Sequence, residues 1–456
     1  MTFSIQNLKS KIQNSIDSGV NVILDCSSIS SACTDFGNLV RGNTCGIIQP
    51  CSVEELRTVV QFANDHHLQL KTRGKGYTQS GQSVAQEGFT LEVTQLNQVY
   101  ELDTTAKTIA CEAGAKWQDI VATTISHGML PRVLPLNLEQ TVGGLLSTGG
   151  IGSTSKTYGP VIANVVDIDI ITGNSEYIKC SRTQKPELYD AVLGGLGRCG
   201  IIVSTTLELR TIKQYIRTFH LLYDSLDAWM HDQVLLGKSN QIDHLEGFCW
   251  SSAKGIRNTP SGKRFFTHWL YGLQIGVEYS IIEPCLTDIL KGLNYCKLIH
   301  TEDEETASHV FRYQPRFDMM RETGAWNQTH PWIDCFMSAK TLAEIMPEIL
   351  DMLPLSLGDG HRAIMVASDN LPYLFMMPPE DDIFCFAILP VGVATHDTNS
   401  LDVLEKVNQM LLNAGGKRYL SGWLGKSDFN WKQHYGNRYD TWVTVKQQYD
   451  PECIFG

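Results

Sequence analysis

A chain of 456 residues, 43 % apolar and 19 % charged, can bury more than one core, which excludes a disordered chain and points to two or three domains. Its net charge of −12 is interrupted by no basic stretch, so no nucleic-acid or anionic-membrane partner is expected. No apolar run reaches the roughly 20 residues of a membrane-spanning helix, and the 13 cysteines follow no repeating spacing, so a reducing, cytoplasmic setting is expected.

The first residues read as an amphipathic helix, with Phe3, Ile5, Leu8, Ile12 and Ile16 on one side. Ser52, with Glu55 three residues on, has the form of a capping box, and Leu56, Val59, Val60 and Ala63 give the helix that follows its apolar stripe. His66 and His67 close that helix as adjacent residues, a spacing that splays two rings and disfavours a shared metal. Extended segments are expected at Leu68–Thr72, Thr90–Val93, Gln98–Asp103 and Lys107–Glu112, then a helix at Trp117–His127. A strand at Val165–Ile171, a helix near Pro186–Leu193 and a strand at Ile201–Leu209 complete an α+β block. From about residue 212 the texture changes to longer helices and aromatic-rich strands, and Glu302–Glu305 reads as a solvated helix start. A helix at Val403–Leu412 leads into a closing stretch rich in Trp, Tyr and His. The expected units are 1–211, 212–404 and 405–456.

Four glycine-rich segments stand out. Arg73-Gly74-Lys75-Gly76-Tyr77-Thr78-Gln79-Ser80-Gly81-Gln82 follows an extended stretch, and its glycines let successive N–H groups converge on a diphosphate. Arg73 and Lys75 offer additional charge. Thr141-Val142-Gly143-Gly144, running on to Gly152, is dense enough in small residues for a planar ligand to lie against bare backbone. Tyr158-Gly159-Pro160 with Asn164, and Leu193-Gly194-Gly195-Leu196-Gly197 with Gly200, are the third and fourth. Taken singly, each also reads as a tight structural turn. A G-x-G-x-x-G opening a helix after the first strand, the mark of a Rossmann dinucleotide fold, is not found.

In this order and spacing the four segments resemble the FAD-binding domain of the vanillyl-alcohol-oxidase, or PCMH-type, flavoproteins, and within them the cytokinin dehydrogenases. Leu245-Glu246-Gly247-Phe248, His330-Pro331-Trp332-Ile333, Trp431-Lys432-Gln433-His434-Tyr435-Gly436 and Tyr449-Asp450-Pro451 extend the resemblance over roughly residues 46 to 456. It implies a two-domain α+β fold, with an antiparallel sheet and helices forming the substrate domain and the last 50 residues returning to the flavin domain. It also implies an oxidoreductase that binds FAD and a small-molecule substrate. Carried over by position, Arg73, Gly74, Lys75, Gly76, Tyr77, Thr78, Gly81 and Gln82 would meet the cofactor, as would Thr141, Gly143, Gly144, Ser147, Ile151, Gly200, Ile201 and Ile202.

The sequence departs from that pattern at four places. The family's flavin-attaching His is Tyr77, so FAD is expected to be held non-covalently. The family's catalytic Asp falls on Leu136, which cannot accept a proton, and its substrate-pocket Glu falls on Gln274. Beyond Ile454-Phe455-Gly456 the resemblance expects a further short segment. Glu139 is a candidate replacement base, with Tyr77 and Tyr271 weaker candidates, and His330 reads as a packing residue. Three readings stay open: an FAD-dependent oxidoreductase acting on a small, largely apolar amine or alcohol; a flavin-binding ligand-binder without redox turnover; and a cytokinin dehydrogenase with an altered base.

Overall fold

The computed structural model describes residues 20–260, 262–394 and 397–456; the helix expected at the extreme N-terminus lies outside them. Three sheets organise the chain. The first holds β1 (Asn21–Ile23), β2 (Ile47–Gln49), β3 (Leu70–Arg73) and β4 (Phe89–Glu92) in the order β1-β2-β4-β3. Its inner strands β2, β4 and β3 are parallel. The helix Val53–Asp65 covers it, burying the expected stripe of Leu56, Val59, Val60 and Ala63. Ser52 caps that helix by accepting from Glu55 N, while the Glu55 carboxylate reaches back one residue further than a capping box, to Cys51 N.

The second sheet contains β5 (Val99–Asp103), β6 (Thr108–Glu112), β7 (Met129–Pro131), β8 (Val165–Ile171), β9 (Tyr177–Ser181) and β10 (Ile201–Thr211). Long β10 pairs with β6, β7 and β8, all antiparallel. The helices Trp117–Ile125, Pro186–Val192 and Tyr439–Tyr449 contribute to the core around this sheet.

The third sheet is the largest. Its members are β11 (Tyr215–Tyr223), β12 (His244–Thr259), β13 (Gly262–Tyr279), β14 (Lys297–Glu305), β15 (Ile333–Ser338), β16 (His361–Met365), β17 (Ile383–Ile388) and β18 (Lys417–Arg418). They run β14-β11-β13-β12-β16-β17-β15-β18 with antiparallel pairings throughout. Side chains alternate faces along each strand. Leu245, Ile333, Cys335, Ala363, Phe384 and Phe386 pack into one core with the helices Leu226–Gly237, Ala339–Met352 and Thr398–Asn413. Their neighbours Glu246, Asp334, Arg362, Cys385 and Ala387 face the opposite way, into a cleft against the first two sheets.

Two sequence expectations change. Glu302–Glu305 forms the end of edge strand β14, and only its last residue, Glu305, meets the expected helix start, as N-cap of the short helix Thr306–His309; Asp303 pairs with Arg217 on β11 and Glu304 with His309 of that helix. The boundary expected at 405 falls within the helix Thr398–Asn413, whose Leu404, Val407 and Leu411 belong to the third sheet's core. The return to the first two sheets begins at Tyr419, which joins the second core while Leu420, Ser421 and Gly422 accept from Gln79 and Gln82; Tyr435, Trp442 and Tyr449 then join the second core and Ile454 and Phe455 the first. Among the described residues, no helix is long and apolar enough to cross a membrane.

The returning segment is pinned by Asp450. Its carboxylate is fully buried, pairs with Lys446, and accepts from Ile454 N at 2.9 Å and Phe455 N at 3.1 Å. Leu70 N in turn donates to Ile454 O at 2.7 Å, tying the chain end to β3. Asp450→Ala leaves a buried ammonium and two buried N–H groups without their acceptor. It is expected to lower unfolding stability by about 3–5 kcal/mol. Urea denaturation measures this, and a loss below about 1 kcal/mol would remove Asp450 as the anchor.

Candidate active site

The loop Gly74–Thr78 leaves the end of β3 and runs along the cleft. Its carbonyls are used: Gly76 O accepts from Phe36 N and Thr78 O from Gly37 N. Its N–H groups are not. From Gly74 to Thr78, five in succession find no acceptor among the described residues. Gly76 makes the bend in the left-handed region, at φ 70°, and a Cβ there would lie 2.3 Å from the Arg73 guanidinium. Arg73 is therefore behind the loop, not in the cleft, donating to Ser83 O at 3.4 Å. Gly81 is also behind it, its N–H bonded at 2.7 Å to the buried Asp35, whose carboxyl is pushed up to about 6 by burial. These two expected contact residues support the loop from the rear.

The other fourteen expected cofactor residues line this one cleft: Gly74, Lys75, Gly76, Tyr77, Thr78, Gln82, Thr141, Gly143, Gly144, Ser147, Ile151, Gly200, Ile201 and Ile202. Backbone bonds from Gly194 N to Leu146 O and from Leu196 N to Ser147 O join the second and fourth glycine segments. Gly143 is needed for packing, since a Cβ there would meet the Ala113 Cβ at 2.7 Å. Gly197 differs. At φ 70°, its added Cβ would find only Thr72, at 3.8 Å, so the bare backbone there borders open cleft. The third segment is structural: Asn164 holds the Gly159 turn by donating to Tyr158 O and Pro160 O.

Leu136 lines the cleft inside an aromatic box made by Phe36, Tyr313, Phe317, Trp326 and Trp332. Tyr77 closes one side, edge-on to Trp326 at 5.9 Å. Its hydroxyl donates to Glu139 at 2.8 Å, and Glu139 is paired with Arg321. Burial, reinforced by Glu139, pushes the Tyr77 phenol up to about 12. Glu139 is thus committed to two partners and does not line the cleft. Tyr271 is also outside it, packed near Trp229, and His330 stacks on Phe36 at 4.0 Å as a packing residue. Gln274 is half-buried on β13 opposite Glu246, one strand away from the cleft wall.

The third sheet supplies groups that the motif reading did not assign. Glu246 and Arg312 meet at 2.8 Å, Glu246 and Arg362 at 3.3 Å, and the Tyr313 hydroxyl donates to Glu246 at 2.7 Å. Burial raises the Glu246 carboxyl, but the two arginines outweigh it and hold it at about 2. Asp334 stands further along. No hydrogen bond or ion pair to its carboxylate is found among the described residues, and the carboxyl is 8 % exposed. Burial pushes it up to about 7 against the pull of Arg418. The sequence did carry a signal: Asp334 and Arg362 are isolated charges in otherwise apolar strands, IDCFMS and HRAIM, where an ionisable group needs a reason.

Comparison with known proteins gives two family matches. Residues 45–181 match the family described as FAD binding domain, and residues 213–456 match Cytokinin dehydrogenase 1, FAD and cytokinin binding. Over 93 % of this chain and 95 % of the relative, it is 27 % identical to an uncharacterized oxidoreductase of the fasciation locus of Rhodococcoides fascians. It is 26 % identical to Cytokinin dehydrogenase 1 of Arabidopsis thaliana, over 93 % of this chain and 80 % of the relative. Identity to Cytokinin dehydrogenase 6 of Oryza sativa subsp. japonica is also 26 %, over 94 % and 89 %.

The residues present fit FAD. Five unpaired backbone donors suit a diphosphate, and the uncovered backbone at Gly197 leaves room for a ligand against the loop. Gly76→Val forces a branched side chain into the left-handed region and against Arg73, distorting the donor run. FAD affinity, measured by fluorescence titration of the cofactor-free protein, is expected to fall by about 1–3 kcal/mol. Unchanged affinity in a folded variant would make Gly76 a turn residue only.

Proposed function

Because the chain belongs to the family described as Cytokinin dehydrogenase 1, FAD and cytokinin binding, and is an FAD-binding oxidoreductase of that type, we propose that it dehydrogenates a small, largely apolar amine or alcohol with FAD held non-covalently. The observation that carries this is one cleft in which the unpaired N–H run of Gly74–Thr78 adjoins the aromatic box around Leu136.

FAD, when bound, supplies the acceptor for a hydride from the substrate carbon. The chain's own residues bind, orient and handle the proton. The rings around Leu136 hold an apolar body and keep water from it. Leu136 offers no partner to a substrate N–H, so the proton must go elsewhere. Asp334 is the reading's acceptor: its carboxylate oxygens are free to take the amine or hydroxyl proton as the carbon loses its hydride, leaving an imine or carbonyl. The committed hydroxyl of Tyr77, held as a neutral phenol, supports a cofactor with no bond to this residue.

Acid precipitation of the purified protein is expected to release all flavin into the supernatant. Flavin fluorescence on the denatured polypeptide would contradict non-covalent binding.

The proton role predicts a pH profile. The groups whose charges act with that of Asp334 are Arg418 and Tyr419 from β18 and its flank, Cys385 on β17 and, from the other face of its own strand, Cys335. Burial pushes Tyr419 and Cys335 to about 12 and Cys385 well above its usual value. The cleft histidine His244 is lowered by burial to about 4, and His309 is also lowered. Among these cleft groups the limb near neutrality falls to Asp334; Asp35, raised to about 6 behind the cofactor loop, titrates just below it, and Asp334→Asn separates the two. Turnover per substrate concentration is expected to rise about tenfold per pH unit below about 7 and level off above it. Asp334→Asn is expected to lose the limb and most of the activity; an unaltered profile would remove Asp334 from the reaction. Stability gives an independent readout. A carboxyl whose folded-state value is raised from 3.8 to about 7 stabilises fully below 3.8 and loses that contribution as pH rises through about 7. The variant's melting temperature should therefore gain on wild type from pH 5 to pH 8.

A further inference from the structure

Three guanidinium groups, those of Arg312, Arg316 and Arg362, gather where β12 and β16 face the cleft, and among the described residues Glu246 is the one carboxylate bonded to any of them, pairing with Arg312 and Arg362. The Nε of each is buried and finds no acceptor among the described residues. The Arg362 side chain is 6 % exposed, lines the cleft, and has the Nη1 bond to Glu246 at 3.3 Å as its hydrogen bond. Arg316 does not line the cleft; its Nη2 goes to Leu389 O. Tyr313 lies under both Arg312 and Arg362, at 4.6 and 4.4 Å from its ring centre, which orients their planes without accepting an N–H. Glu304, also near Arg312, is taken by His309 at 2.7 Å. Arg312 also donates Nη1 to His309 O at 3.1 Å and Nη2 to Ser153 Oγ at 3.2 Å, so Arg362 is the cleft cation with donors left over, an unfavourable arrangement until an anion completes it.

We propose that the substrate carries a carboxylate on its apolar body and that Arg362 receives it, with Arg312 adding its charge beside it. This rests on the oxidoreductase reading of the same cleft and adds a substrate class to it. A guanidinium presents a planar fork that matches a carboxylate edge to edge. Tyr313 belongs both to the box around Leu136 and to the stack beneath the arginines, so one ligand reaches both. Sheet register then places the other end. Arg362, Ala387 and Asp334 are direct partners across β16, β17 and β15. With strands about 4.8 Å apart, Arg362 and Asp334 stand about 9–10 Å from one another, flanking the short side chain of Ala387. A substrate anchored by its carboxylate at Arg362 extends over Ala387 toward Asp334.

The test uses the FAD-loaded protein and two acid–amide pairs, 3-phenylpropanoate with 3-phenylpropanamide and hexanoate with hexanamide, followed by the change each causes in the flavin absorption spectrum. Wild type is expected to bind at least one acid about tenfold or more tighter than its amide. Arg362→Gln is expected to abolish that preference and Arg362→Lys to keep part of it, with FAD affinity unchanged in both. No wild-type preference for either acid would overturn the proposal, and this comparison stands whether or not the variants fold. A preference that survives in Arg362→Gln and Arg312→Gln would also overturn it. So would a large loss of FAD affinity in Arg362→Gln, which would assign the arginine to the cofactor. A protein that is bleached anaerobically by neutral amines or alcohols but ignores the carboxylate refutes this inference alone. One that takes up no FAD refutes the reading beneath it.

Discussion

Five successive backbone N–H groups without a protein acceptor among the described residues must be met by water or by a ligand. That constraint, at Gly74–Thr78, explains much of the construction around it. The left-handed bend at Gly76 exposes the donors on one side and presses on Arg73 behind. Asp35 braces the far side through Thr78 Oγ1 and Gly81 N. Ser421 O takes Gln79 N, so a residue far along the chain completes the loop. The donor run is held rigid from the rear and left open toward the cleft, the arrangement a diphosphate needs.

Across the cleft, the two-residue period of the third sheet does comparable work. One set of alternate residues makes a dry core with three helices, and the other puts Glu246, Arg362, Ala387 and Asp334 on a single wall. A charge on that wall is costly unless a ligand answers it. Asp334 meets the cost by holding its proton to about pH 7; Arg312 and Arg362 share the single carboxylate of Glu246. The wall is therefore chemically differentiated along its length, with a proton acceptor at one end and cations at the other, while Leu136 and its rings supply the apolar part.

Much of this was legible in the sequence. The glycine segments carried the family resemblance, and the positions it implies include fourteen residues of the cleft, because close backbone approach leaves a local mark that orders such segments along the chain. Strand Val165–Ile171 and the stripe of helix Val53–Asp65 were legible for the same reason, their periodicity being local. Arg73 and Gly81 misled because their motif positions say nothing about which side of a loop faces the ligand. Glu302–Glu305 does precede a helix, the short Thr306–His309, but edge strand β14 takes most of the run and pairs Asp303 with Arg217. Gln274 came from matching positions along one strand, whereas the cleft is defined by which strand lies next to it. Asp334 and Arg362 were hidden because their partnership exists only in the register of β15, β17 and β16, separated by long stretches of chain.

We propose that the backbone donors of Gly74–Thr78 hold the cofactor in this cleft. Amide hydrogen exchange read by mass spectrometry, on the protein with and without FAD, reads those donors one segment at a time. Fast exchange is expected across 74–78 in the FAD-free protein and strong protection there when FAD is bound, with little change on the helix-covered face of the third sheet. Equal exchange at 74–78 in the two states, with FAD demonstrably bound, would contradict it.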